Sequence, residues 1–438
     1  MHVDDVVEKV SKNGIKFIRL QFVDILGNPK NIVIPEKKLE NAFEEGVLFD
    51  GSSIAGYATI EESDYIAMPD PASFIILPPV IASPPVAKLN CNIFSHEGKR
   101  YIGDPKYVLE RIMKKANTHT LMAGPECEFF LFKKNQENLT LIPNDSAGYF
   151  DLSHIDLAEN VRADISLALQ QLGIEVHSSH HEVGRGQHEI DIHHSDALTM
   201  ADWVLTFKYV VKVVASHHNL YASFMPKPLY GIAGNGMHIH LSLANKKGDN
   251  IFYDPDREDG ISKLGKNFIA GIIKHIKEMT AILNPTVNSY KRLVPGYEAP
   301  TYISWAERNR SALVRIPAER KKGTRCELRS PDSSGNPYLQ FAVILAAGLQ
   351  GIKERLQPPE KIEEDLYSLD VHKRQKLGIA NLPDNLHHAL ALMEESKLIR
   401  DTLGDHIFHH FLYIKKMEWE EYRQQVTKWE TDNYFPLL

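Results

Sequence analysis

Four short segments of this chain alternate between apolar and ionisable residues, and in an extended strand that alternation puts every ionisable side chain on one face. In PECEFF, Glu126 and Glu128 share a parity and lead into the apolar run FFLF. In HEIDI, Glu189 and Asp191 do the same, with Glu182 seven residues before Glu189. In MHIHLSL, His238, His240 and Ser242 oppose Met237, Ile239, Leu241 and Leu243, and in RCELR, Arg325, Glu327 and Arg329 oppose Cys326 and Leu328. Any one of these could be an amphipathic strand with a wet outer face. As a set they differ from such faces, which carry Thr, Ser and Lys, because carboxylates, imidazoles and guanidiniums gather here with almost no lysine. Glu126 and Glu128 also adjoin a run that is apolar on both parities, and a buried carboxylate without a partner is costly or takes up a proton. A bound cation would offset that cost, and oxygen-rich ligation with one imidazole and no thiolate suits Mg²⁺ or Mn²⁺ better than zinc.

Five arginines, Arg292, Arg310, Arg315, Arg325 and Arg329, add planar forks that match phosphate and carboxylate oxygens. With a divalent metal they point to phosphoryl transfer. The familiar phosphate-binding and hydrolase signatures, GxxxxGK[ST], GxGxxG after a strand, HExxH and GxSxG, do not occur. Gly234-Asn235-Gly236 on its own reads as a plain turn.

At 438 residues and 43% hydrophobic content the chain can bury a large core in two or three domains. Strand and turn patterns (Ile18, Leu20, Phe22; Gly27-Asn28-Pro29; NIVIP) and one helix, KKLENAFEEG, fill the first hundred residues. The pattern changes near GDPKYVLERIMKKA, which places a boundary at about residue 100 and predicts domains at 1–100 and 101–438. Beyond it, helical patterns at 156–172, 197–217, 262–282 and 336–356 interleave with short strands, and 385–430 is helical, so the fold class is α+β on an antiparallel sheet. A formal net charge of −7 argues against a nucleic-acid binder that works through a basic surface. The spacing of Cys91, Cys127 and Cys326 fits neither a disulfide framework nor a zinc site and predicts a reducing, cytoplasmic setting. No membrane segment is expected, since Pro78, Pro79, Pro84 and Pro85 break the apolar run at 74–89, and MHVDDVVEKV lacks the order of a signal peptide.

Nearly the whole chain, in order, resembles the type I glutamine synthetases: FDGSSI at 49–54, ESDY with MPDP at 62–71, PECEFF, GYFD at 148–151, HHEVGRGQHEID at 180–191, FMPKP at 224–228, GNGMHIHLSL at 234–243, NPTVNSYKRLVPGYEAP at 284–300, NRSALVRIP at 309–317 and RCELRSPD at 325–332. The resemblance implies a small β-grasp domain and a larger catalytic domain whose curved antiparallel sheet is flanked by helices. It further implies a homo-oligomer of two stacked hexamers, a dodecamer, with active sites between subunits. It assigns Glu128, Glu182 and Glu189 to one metal and Glu126, His238 and Glu327 to a second. Gly234, Arg292, Glu298 and Arg329 would hold glutamate; His240, Ser242, Arg315, Arg325 and Arg310 would face ATP, with Arg310 on the transferring phosphoryl group. Asp50 of a neighbouring subunit, with Ser53, Tyr149, Glu182 and Glu298, would form an ammonium pocket under the flap VPGYEAP.

Some positions depart from the family pattern. Ala233 stands where many relatives have asparagine, and Thr59 where the compact subtype often carries an arginine used in feedback inhibition. Only 23 positions separate Glu126 from Tyr149, so the insertion of the adenylylated subtype is absent, and Asp365 replaces the usual asparagine before Tyr367. Trp419 and Trp429 fit either a ring-locking C-terminal helix or plain core. The leading reading is an ATP-dependent ligase joining ammonia to glutamate with two divalent ions, and a small nitrogen-regulatory protein is a further partner of such enzymes. A γ-glutamyl ligase for a larger amine is disfavoured by Asp50 and Glu298, and a non-catalytic scaffold by the intact metal set.

Overall fold

The computed structural model describes residues 1–54, 56, 64–134 and 139–438; Thr59 lies outside them. The chain opens with helix α1 (Val3–Lys12), then strands β1 (Phe17–Val23) and β2 (Pro29–Pro35), helix α2 (Leu39–Glu45), and strands β3 (Val47–Asp50), β4 (Asp64–Pro69), β5 (Ile75–Ile76) and β6 (Val86–Ser95). They form one sheet in the order β2-β1-β6-β4-β3, with β5 also on β6 and only β1 and β6 parallel. Ile18 and Leu20 point into a core closed by Val6 and Val10 of α1 and Leu39 and Ala42 of α2. The predicted turn after β1 forms around Asp24, whose carboxylate accepts the N–H groups of Leu26 and Asn28 at 3.0 and 2.8 Å. The Asp24 carbonyl accepts Asn336 Nδ2 at 3.0 Å, fixing this sheet to the rest of the molecule.

After α3 (Pro105–Lys115) comes the longest strand, β7 (Thr120–Lys134), followed by β8 (Leu139–Pro143), α4 (Glu159–Gln171), β9 (Val176–His181), β10 (Gln187–Ile192), β11 (Ser195–Asp196), α5 (Ala197–His217), β12 (Leu220–Ser223) and β13 (Met237–Ala244). Then α6 (Lys263–Leu283), the single turn α7 (Ser289–Arg292), β14 (Trp305–Ala306), β15 (Val314–Arg315), β16 (Cys326–Leu328) and α8 (Pro337–Glu354) complete the second sheet and its cover. Its order is β14-β15-β16-β13-β7-β10-β9, antiparallel except between β14 and β15, with β8, β11 and β12 also on β7. The expected mixed α+β architecture, with helices flanking an antiparallel sheet, is what forms. FFLF is buried throughout, as its double-sided apolarity requires; Phe129 packs on Phe207 and Phe224 with centroids 6.4 and 5.7 Å apart. Helix ends follow local chemistry: Asp196, Ser262 and Asn336 cap α5, α6 and α8 by accepting backbone N–H groups, and Pro337 starts α8.

Five helices follow, α9 (Val371–Lys376), α10 (Leu386–Glu394), α11 (Lys397–Leu403), α12 (Asp405–Arg423) and α13 (Lys428–Tyr434). The helical reading of 385–430 therefore resolves into separate pieces, broken where Ser396 caps α11 and where Gly404 takes φ 80°. Trp419 packs against the main core, whereas Trp429 is exposed. Among the described residues no helix is long and apolar enough to cross a membrane.

Candidate active site

The registers of five strands assemble the ionisable face. His238 on β13 pairs with Glu126 on β7; Glu189 and Asp191 on β10 pair with Glu128 and Glu126; His240 and Arg315 pair with Glu327 on β16. Strand parity turns all of these side chains to one side, as the alternation predicts, and all but His240 floor a cavity of about 850 Å³. Glu182, one residue beyond β9, reaches the same floor, and Tyr149, Gly234, Arg292, Glu298, Arg310 and Arg329 stand around its walls. Asp191, which the strand pattern selects and the family assignment omits, also lines it.

The electrostatics of this floor set buried carboxylates against one another. Burial and the neighbouring Glu182 charge push the Glu128 carboxyl up to about 8, against the pull of Arg292. Burial and the charges of Asp191, Glu126, Glu128 and Glu182 hold Glu189 well above the carboxylate range. Glu126 and Glu327 lie below it: burial raises both, but His238 and His240 outweigh it at Glu126, and Arg329 and the imidazoles outweigh it at Glu327. Glu327 accepts Arg315 Nε and Arg329 Nη1, each at 2.5 Å. Asp191 Oδ1 is buried without a hydrogen-bond partner.

Ligand atoms of Glu126, His240 and Glu327, of His180, Glu182 and Glu189, and of Glu126, Glu189 and Asp191 each lie within 4.8 Å of one another. These groupings contain His240 and His180 where the family assignment has His238 and Glu128. Hydrogen bonding separates the imidazoles. Arg325 Nε donates to His240 Nδ1 at 3.0 Å, so the ring proton is on Nε2 and points at Glu126 Oε1, 2.7 Å away, leaving no lone pair for a metal. His238 Nδ1 lies 3.3 Å from Glu126 and 3.7 Å from Glu327. Glu128 is fixed by Gln187 Nε2 at 2.9 Å and the Gly236 N–H at 2.8 Å. Clustered carboxylates held partly protonated, an orphaned carboxylate oxygen and a free imidazole nitrogen fit oxygen-preferring divalent ions.

The glycine loop is more than a turn. Asn235 is fully buried and donates to the carbonyls of Ser223 and Met225, at 3.2 and 3.0 Å. A Cβ at Gly234 would sit 2.3 Å from the Pro226 carbonyl, and one at Gly236 2.6 Å from Arg292 Nη2, so only glycine lets this backbone approach the cavity. Arg292 is buried and held by the carbonyls of Arg329, Ser330 and Pro331, while Arg329 keeps Nε buried and unpartnered. At the other wall, burial and Glu182 raise the Tyr149 hydroxyl while Arg310 draws it down. Glu298 is exposed at φ 61°, a conformation that costs a non-glycine residue energy and often marks function.

Not every expected residue meets the cavity. His240 and Arg325 stand behind Glu126, and Ser242 lies further along β13 opposite Met122. Asp50 and Ser53 are exposed at the end of β3, outside the cavity of this chain; Asp50 accepts the Ser52 N–H at 2.8 Å.

Sequence reasoning missed the residues behind the floor. His181 and His188 face away from the cavity. His181 Nε2 donates to Asp145 at 2.9 Å and Nδ1 to the Glu182 carbonyl at 2.6 Å, and Arg162 donates to Asp156 at 2.6 and 3.0 Å and to His188 Nδ1 at 3.0 Å. Asp145, His181 and His188 have ligand-like spacing, but Arg162 uses the His188 lone pair and brings a positive charge, so the cluster is a closed network and no metal centre. The adjacent histidines in HSSHHE, on opposite parities, were the available signal.

Comparison with known proteins agrees with this geometry. Residues 102–434 match the glutamine synthetase catalytic domain and residues 14–96 the glutamine synthetase β-grasp domain. The chain is 49% identical to the glutamine synthetases of Clostridium saccharobutylicum and Thermus thermophilus, over 98% of this chain and of each relative. Among solved structures it is similar to a GmaS/ADP complex (TM-score 0.90, 33% identity) and to Plasmodium falciparum glutamine synthetase (TM-score 0.88, 25% identity), each over 99% of both chains. Sequence, sheet and site agree that the chain belongs to the glutamine synthetase family.

Proposed function

We propose that the chain ligates ammonia to the γ-carboxylate of L-glutamate with ATP, through γ-glutamyl phosphate, yielding L-glutamine, ADP and phosphate. The carrying observation is the floor of buried, mutually repelling carboxylates beside one unpartnered arginine donor, Arg329 Nε, an arrangement completed by cations and an anionic substrate. Glu128, Glu182 and Glu189 hold one divalent ion and Glu126, His238 and Glu327 the other, Mg²⁺ or Mn²⁺ by their oxygen preference. Once bound, such ions offset charge on the phosphates.

A carboxylate is a poor acyl donor until phosphorylated, so this chain's residues must align glutamate with the terminal phosphate and stabilise the transferring group. Arg329 Nε, Arg292 and the Gly234 backbone hold glutamate. Arg310 and Arg315 face the phosphates, and Arg325, His240 and Ser242 the nucleotide. Tyr149, Glu182 and Glu298 bind ammonium and accept its proton, because the cation is not nucleophilic. Asp50, outside this chain's cavity, enters from a neighbouring subunit of a dodecamer, and Ser53 completes the ammonium pocket. The same reading includes division at about residue 100, a cytoplasmic role in nitrogen assimilation, and regulation by a small nitrogen-regulatory protein.

Phosphate release from ATP and glutamate with Mg²⁺ tests this, comparing ammonium, hydroxylamine, methylamine and putrescine. Strong preference for ammonium is expected; turnover with larger amines alone would move the activity to γ-glutamylamine formation, and none at all would favour a scaffold. Asp50→Ala should weaken ammonium use and leave metal binding intact.

A further inference from the structure

Lys227 lies in the loop after β12, is 8% exposed, and its ammonium group bonds a backbone carbonyl rather than a carboxylate. Its backbone is fixed on both sides by Asn288, which accepts the Lys227 N–H at 2.7 Å and donates to its carbonyl at 3.0 Å. The side chain runs along the glycine loop, with Cδ 3.2 Å from where a Gly234 Cβ would be, and the ammonium group donates to the Ile232 carbonyl. The same nitrogen sits 3.9 Å from the centroid of the Tyr297 ring. Tyr297 lies between Gly296 and Glu298, the two flap residues with positive φ. A desolvated ammonium over an aromatic face is among the stronger cation–π contacts.

A buried lysine normally finds a carboxylate or gives up its proton. This one is instead met by two separate segments of the chain at once, the Ile232 carbonyl beside the glycine loop and the ring face of Tyr297. We propose that Lys227 is a positioning residue that rivets the flap to the glutamate loop, so that the seated flap shields the acyl phosphate from water. This rests on the ligase reading given above. On the opposite side the Tyr367 hydroxyl donates to the Ala299 carbonyl at 2.8 Å, so removing Lys227 frees one edge of the flap and leaves the other attached.

The consequence is a leak. When the flap lifts, a water oxygen attacks the γ-carbonyl carbon of γ-glutamyl phosphate, the bond from that carbon to the phosphate oxygen breaks, and glutamate, phosphate and a proton are released without glutamine. The experiment counts ADP and glutamine formed by the assembled enzyme with ammonium. Wild type is expected to form about one ADP per glutamine and Lys227→Met above about three, with Lys227→Arg restoring the ratio. Tyr297→Ala should leak like Lys227→Met, and Tyr297→Phe, which keeps the ring, should not; these flap variants decide the matter even if Lys227→Met fails to fold. A merely structural role would lower the yield of active enzyme without changing the ratio. Tight coupling in Lys227→Met or in Tyr297→Ala would overturn the rivet alone, whereas a wild type that makes no glutamine would overturn it together with the ligase reading.

Discussion

On the cavity side of the catalytic sheet Glu128 and Glu189 stand with their carboxyls pushed up by burial and by other carboxylates, while on the back of the same strands His181 and His188 meet Asp145, Asp156 and Arg162 in ordinary hydrogen-bonded pairs. Residue types, strands and depth are similar. The difference lies in what completes each set. The back face closes on itself: burial raises Asp145, but His181 outweighs it and keeps the carboxyl below its ordinary range, and His188 is lowered to about 3 by burial and by its charged neighbours His181 and Arg162. The front face closes only when something is added. Buried charge is therefore no sign of function by itself; buried charge that its own neighbours leave uncompensated is.

The largest test of this contrast is Glu189→Gln. Burial and neighbouring carboxylates already favour the neutral form of Glu189 without a cation, so the amide should leave metal-free stability within about 1 kcal/mol. Glutamine formation should fall about 10³-fold, ~4 kcal/mol of transition-state stabilisation, because the proposed assignment makes this carboxylate a metal ligand. A comparable loss of chemical stability in denaturant would show that the front face completes itself after all.

The mirror experiment is Arg162→Met. It leaves Asp156 buried with no counter-charge, which should cost about 3–5 kcal/mol in urea unfolding, while turnover per folded molecule stays within about threefold. If activity collapses while stability holds, the back network belongs to the site and the contrast between the faces is lost.

How much of this was readable beforehand follows from what each feature depends on. Strand parity is local, so Glu126, Glu128, Glu189, Asp191, His238 and Glu327 could be assigned to one face before any partner strand was known. The helices at 197–217 and 262–282 were legible for the same reason, and appear as Ala197–His217 and Lys263–Leu283. Arg162 carries no such signal: it lies on α4, 26 residues from the histidine it meets, and only tertiary packing joins them. The breaks between α10, α11 and α12 were hidden because apolar periodicity runs on through Ser396 and Gly404. The proton on His240 depends on one hydrogen bond from Arg325, 85 residues away, which no pattern within β13 could reveal.

A smaller effect follows from proton linkage. Without metal, Glu128 holds its proton up to about pH 8, and a divalent cation must displace it. Apparent Mg²⁺ affinity should therefore rise by up to about tenfold per pH unit from pH 6 to 8 and level off above. The sign for stability is opposite. The folded carboxyl binds protons more tightly than the unfolded one, whose ordinary value is 4.5, so this group's contribution to metal-free stability is full below that value and is lost as pH rises through 8. Isothermal titration across this range, with proton release read from buffers of different ionisation heat, measures the first effect; affinity independent of pH would mean that Glu128 is already ionised.

The smallest expected effect separates backbone from side-chain recognition on the front side. Ala233 lines the cavity beside Gly234 where many relatives have asparagine. Its partial burial leaves room for an amide with one end in the cavity, so Ala233→Asn should be tolerated in stability, unlike a polar substitution in the packed back layer. One added hydrogen bond to the substrate amino group contributes about 1 kcal/mol, so KM for glutamate should fall about fivefold with kcat nearly unchanged. An unchanged KM would assign the amino group to the loop backbone, whose approach Gly234 and Gly236 already secure. A fall in stability would instead mean that the loop is packed as tightly as the back face, and the line between a closed and an open surface would have to be drawn inside the cavity wall.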